Sequence, residues 1–131
     1  MNKKEIDLDS FISSNENCDI IINIKYFKKQ INYESLIQYI DQFIYKLIIE
    51  KTKLFDSNIF IVYVYLKGYK IKEVDYNFIK TILQFLENKY PNNLSKVLIY
   101  DSNIVIKGIY KLFKPFIHTE TRDKIYFLKK I

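Results

Sequence analysis

Residues 90–128, YPNNLSKVLIYDSNIVIKGIYKLFKPFIHTETRDKIYFL, decide how the chain is read. Pro91 and the two asparagines after it stop any preceding helix. Val97 to Tyr100 then reads as a short apolar strand. From Val105 to Phe113 the spacing becomes helical, and Pro115 ends the helix by disfavouring helical backbone at Lys114. Thr119 and Thr121 suggest one further helical turn, and Ile125 to Leu128 reads as another strand. Strands that alternate with helices predict a largely parallel sheet.

Upstream the alternation continues. Asp19 opens the run Ile20-Ile21-Ile22-Asn23-Ile24, a predicted buried strand ending near Phe27. Leu36, Ile37, Ile40, Phe43, Ile44, Leu47 and Ile48 then recur at three and four, which predicts an amphipathic helix capped by Asn32. Asp56, Ser57 and Asn58 break it. Ile59 to Leu66 is β-branched and aromatic throughout, the pattern of a strand covered on both faces. Gly68 marks a turn, and Asp75 can cap a helix whose stripe is Phe78, Ile79, Ile82, Leu83 and Leu86. At the start, Ile6, Leu8, Phe11 and Ile12 fit a short amphipathic helix. The fold class is therefore α/β, with a mixed, largely parallel β-sheet and flanking helices.

Composition bounds the rest. The chain has 131 residues, 49% of them hydrophobic and 27% charged, enough for one core and not for two. Cys18 is the single cysteine, so no internal disulfide forms, and a buried small hydrophobe is its expected role. No Cys/His cluster exists to hold a metal, and nothing calls for a cofactor. The N-terminus lacks the apolar core of a signal peptide, and the longest apolar run, Ile59 to Leu66, is too short to span a bilayer. These features read as a soluble cytoplasmic domain. Ala and Trp are absent and Arg122 is the one arginine, a bias expected of AT-rich coding. A pI near 9.2 carried by lysine is thus weak support for nucleic-acid binding. Residues 1–58 are near neutral, which places the excess, about +7, in 59–131. No P-loop, GxGxxG, HExxH or GxSxG string occurs, His118 has no Ser or Cys partner at a catalytic spacing, and no RNP, KH or zinc-finger pattern is present. No catalytic residue is assigned, and nucleic acid is not an expected partner.

The quoted stretch resembles the heart of the CRAL-TRIO lipid-binding domain, the family of phosphatidylinositol transfer proteins. The matching elements are Tyr90-Pro91, Lys96 before a strand, the Lys114-Pro115-Phe116 step, Thr121, and Lys124-Ile125 with Leu128. Leu66-Lys67-Gly68 after the earlier strand also fits. The resemblance implies a minimal domain over 18–131, preceded by an extension over 1–17 with a short helix. It implies an apolar pocket on the sheet closed by a gate helix at about Val105 to Phe116, and head-group contacts from Thr121 and Lys124. It departs from the family at Asn92, where a glutamate normally follows Tyr-Pro, and at Ser102-Asn103 in place of Ala-Pro.

Physical logic supports these positions, and each has a plain competitor. A hydroxyl and a mobile cation three residues apart can bracket a phosphate, although a surface lysine beside a capping threonine looks the same. Lys107, Lys111 and Lys114 recur at helical spacing beside Ile106, Ile109, Tyr110 and Phe113, a basic amphipathic face that, with Phe116 at the end of the gate, suits an anionic membrane or simply water. Lys67, Lys70 and Lys72 flank the Gly68 turn, where they either extend the basic surface or form a solvated loop, the second being the preferred reading. The expected function is non-enzymatic binding and transport of a phospholipid, with phosphatidylinositol and phosphoinositides as the specific candidates, by a peripherally membrane-associated protein. The alternative is a protein-interaction module on the same scaffold with a filled or incomplete pocket. The family's fold continues past the strand matching Ile125 to Leu128, which leads to an expected homodimer through uncovered apolar surface, unless Phe11 and Ile12 fold over it.

Overall fold

Three long periodic segments and four short apolar runs set the architecture. The structure, a computed structural model, describes residues 8–27, 32–68, 76–102 and 104–129. Its elements are α1 (Leu8–Phe11), β1 (Ile12–Ser14), β2 (Ile20–Asn23), α2 (Tyr33–Phe55), β3 (Phe60–Tyr65), α3 (Tyr76–Lys89), β4 (Leu94–Tyr100), α4 (Ile104–Phe113), α5 (Thr119–Arg122) and β5 (Ile125–Phe127), with 3₁₀ turns at Ile24–Tyr26 and Lys114–Phe116. Ile6, Lys70, Lys72 and Asp75 lie outside the described residues, as do the side chains of Ile79, Val105 and Phe113. Asn32 caps α2 as expected, its side chain accepting the Ser35 N–H at 3.1 Å. Asp56 ends that helix in the left-handed region (φ 53°).

The five strands lie in the order β1-β2-β3-β4-β5. β1 is antiparallel to β2, and every later pair is parallel. Crossovers between parallel strands are right-handed, so a strand order that always advances one way puts α2, α3 and α4 on one face. Phe60, Val62 and Val64 point to that face, in register with Ile20 and Ile22 on one side and Val97 and Ile99 on the other. Phe60, Ile20, Leu36, Ile44 and Ile12 are its most buried members. Asp19, buried at the head of β2, accepts the Ile61 N–H at 3.0 Å and the Lys51 ammonium at 2.6 Å, so one carboxylate ties two strands to α2.

Several expectations are corrected. β3 is not covered alike on its two faces: Phe60 and Val62 are buried, whereas Tyr63 and Tyr65 on the other side are half-buried. β2 stops at Asn23, because the chain turns into a 3₁₀ segment instead of continuing extended to Phe27. The N-terminal helix is one turn long, and Ile12 belongs to β1. β4 begins three residues before Val97, at Leu94. Cys18 is buried, as expected of a small hydrophobe.

Candidate functional site

Between the sheet and its helices lies an apolar cavity of about 190 Å³. Its floor is Ile22, Val62, Val64, Val97, Ile99, Ile125 and Phe127, one side of four strands. Phe78, Ile82, Leu83 and Leu86 of α3 form one wall, and Ile106, Ile109 and Tyr110 of α4 form the opposite one. Phe11 and Ile40 contribute from α1 and α2. Among the described lining residues, Tyr110 alone has a polar side-chain atom. Its ring packs edge-on against Phe127 at 5.2 Å between centroids, and burial raises its phenol above the ordinary tyrosine pKa. A cavity with a single polar group in its lining offers a water too few partners and is suited to apolar guests; one of about 150 Å³ already admits benzene.

α4 turns a different side outward. Lys107, Lys111 and Lys114 are exposed, and so are Leu112 (67%) and Phe116 (51%). The Lys80 ammonium stands 4.1 Å from the centre of the Phe116 ring, so a cation from α3 sits on the 3₁₀ turn that follows α4. The sequence reading placed Lys107, Tyr110, Lys111, Phe113, Lys114 and Phe116 here, and the structure brings them onto α4 and its 3₁₀ continuation. Leu112 was missed, although it follows Lys111 directly and stands out as an apolar residue off the buried stripe.

The expected head-group pair lies beyond α4 in the chain. Thr121 is buried in α5, and its carbonyl accepts the Lys124 N–H at 3.0 Å. The Lys124 ammonium reaches the Pro91 carbonyl at 3.3 Å, which joins the Tyr-Pro turn to the turn before β5. Neither side chain lines the apolar cavity. A second, polar cleft of about 280 Å³ instead lies beside it, lined by Tyr110, Lys114, Thr119, Arg122, Asp123 and Ile125. Tyr110 and Ile125 line both spaces. His118 is exposed, and its backbone N–H donates to the buried Glu87 carboxylate at 2.6 Å. Among the described residues no His/Cys/Asp/Glu group could hold a metal, and no helix is long and apolar enough to cross a membrane.

Comparison with known proteins gives the arrangement a context. The model of the CRAL/TRIO domain family matches residues 15–131. No curated protein sequence is a significant match. Among solved structures, that titled "Crystal structure of Sfh5" superposes with a TM-score of 0.61 at 19% identity, covering 98% of this chain and 51% of that one. The chain thus spans about half the length of Sfh5, and the likeness shows a shared fold.

Proposed function

The chain belongs to the CRAL/TRIO domain family, whose members are in general lipid-binding carriers, and from that premise we propose that its apolar cavity holds part of a phospholipid acyl chain while α4 gates entry from an anionic membrane surface. The observation that carries this reading is the two-sidedness of α4: Ile106, Ile109 and Tyr110 wall the cavity, and Lys107, Lys111 and Leu112 are exposed to solvent. A space of about 190 Å³ takes a segment on the order of six methylenes, worth roughly 5 kcal/mol at about 0.8 kcal/mol each. The protein acts as a carrier without chemistry, on the cytoplasmic surface of a membrane, with 18–131 as the minimal domain. For a phosphoinositide, family resemblance assigns the head group to Thr121 and Lys124.

A second reading rests on the other face of the sheet. Parallel sheets are normally covered on both sides. Here the face away from α2, α3 and α4 presents Ile21, Tyr63, Leu98 and exposed Tyr126 in one row and Tyr65 and Tyr100 in the next. The tyrosines stack on one another, Tyr65 on Tyr100 at 5.4 Å. Such a face suits a protein partner, and a second copy of the chain is the symmetric case. Native mass spectrometry of the purified protein tests both readings at once. A lipid adduct on a 15.9 kDa chain supports the carrier, and a lipid-free dimer supports the interaction module and overturns the first reading.

A further inference from the structure

The polar cleft next to the apolar cavity has a donor set of its own. Arg122 is half-buried, and its Nη2 donates to Thr119 Oγ1 at 2.8 Å. That bond fixes the guanidinium and occupies a lone pair of the hydroxyl, which leaves the Thr119 proton to donate elsewhere. Arg122 Nε is buried and has no hydrogen-bond partner among the described residues. A buried donor of a charged group without an acceptor is costly, and native structures hold few. Lys114 brings a second cation from the turn after α4, and Asp123 brings one carboxylate. The Tyr110 phenol feels both sides: burial and Asp123 raise its pKa while Arg122 lowers it, so the three groups share one field.

Charge selects the ligand. Two cations against one carboxylate leave a single positive charge, which matches a phosphodiester monoanion. A phosphomonoester, close to doubly charged at neutral pH, would leave one negative charge facing Asp123. We infer that this cleft binds a singly charged phosphodiester, with Arg122 and Lys114 as its cations and the Thr119 hydroxyl as a donor. Where that phosphodiester belongs to a phospholipid, the inference rests on the acyl-chain reading of the cavity. Tyr110 and Ile125, which line both spaces, then place the phosphate at one end of the chain-binding floor. A free phosphodiester offers the same chemistry without the chain.

Calorimetric titration of the full chain separates these cases. The probes are dihexanoyl phosphatidylcholine below its micellar concentration, glycerophosphocholine, inorganic phosphate, and hexanol as a chain without phosphate. The expected result is that Arg122→Gln weakens the short-chain lipid about tenfold, Lys114→Gln weakens it severalfold, and neither changes hexanol. Inorganic phosphate should bind more weakly than glycerophosphocholine. If hexanol and the lipid bind unchanged in both variants, the cleft is not the site, although the cavity reading survives. If hexanol fails to bind while glycerophosphocholine binding depends on Arg122, the cleft stands with a free phosphodiester and the cavity reading falls. Absence of binding by either phosphodiester to the unaltered protein overturns the inference. Lys114 is exposed, so Lys114→Gln remains decisive even if Arg122→Gln disturbs the fold.

Discussion

Tyr90 closes α3 and turns its hydroxyl to α2, where it donates to the Asp41 carboxylate that Lys89 also holds at 2.6 Å. This explains why a tyrosine precedes Pro91: the ring is buried and edge-on to Phe85, and the hydroxyl ties two helices together. Hydrogen bonds from Lys89 first and Tyr90 second hold the Asp41 carboxyl below its ordinary value of 3.8. A pKa lowered by folding adds stability above pH 3.8 that is lost as the pH falls through the folded value. Tyr90→Phe should cost about 1–2 kcal/mol at neutral pH, since Asp41 is partly exposed and keeps Lys89. The variant should also lose stability less steeply on acidification, because Asp41 is then less shifted. Urea midpoints measured across the acid range check both effects, and superimposable profiles would show that the bond is not made. On the alkaline side the signs reverse. Burial raises the phenols of Tyr39, Tyr63, Tyr90 and Tyr110 above 10.0, so their contribution is whole below that pH and fades above it.

Among the elements, legibility in the sequence follows from length and from what fixes each one. α2, β3 and the α4 stripe are written in their own periodicity, and the structure has them within a few residues. β1 is Ile-Ser-Ser, too short and polar to announce itself; it exists because Ile12 and Ser14 find Ile22 and Ile20 on the neighbouring strand. Coverage of β3 could not be read from its composition, because the order of the strands decides which face the helices take. Of the site, the cavity wall on α4 was legible as an apolar stripe. The cleft was not, although the chain's one arginine among its lysines was a usable signal. Glu87 was missed too. Next to Leu86 and one turn after Leu83, it falls on the inward side of α3, where an acid must find a donor. It finds the His118 N–H, which pins the strap after α4 to α3. Glu87→Ala should free that strap, raising hydrogen exchange over 117–122 about tenfold for a lost bond near 1.5 kcal/mol. Glu87→Gln, which keeps an oxygen acceptor, should fall between. Unchanged exchange in the alanine variant would mean that the strap is held by other contacts.

For the whole molecule the question is what the proposed docking of α4 on a membrane would require. The excess charge sits in the second half of the chain, and α4 with the turn after it carries Lys107, Lys111 and Lys114 with no acid between Ile104 and His118. Each lysine near an anionic surface contributes about 1 kcal/mol, so the three together supply roughly 3 kcal/mol at low salt. That alone gives reversible, salt-sensitive attraction and no depth. In the proposed docking Leu112 and Phe116 would supply the depth, since both are large, apolar and exposed. Withdrawing a leucine side chain from water is worth about 1.5–3 kcal/mol when complete. The two contributions respond to different variables, which makes them separable by vesicle flotation. Binding to vesicles containing anionic phospholipid should exceed binding to neutral ones at least tenfold, and the preference should fade as salt shortens the range of charge interactions. Replacing Lys107 and Lys111 with glutamine, which leaves the cleft cation Lys114 in place, should cut the preference severalfold and leave the weak binding to neutral vesicles. Leu112→Ser should do the opposite, weakening both by a similar factor and preserving the ratio. Equal binding of the unaltered protein to anionic and neutral vesicles would remove charge from the docking step. A Leu112→Ser protein that binds both as well as the unaltered one would move the contact off α4 altogether, and the outward face of this helix would then be only the solvated side of the cavity wall.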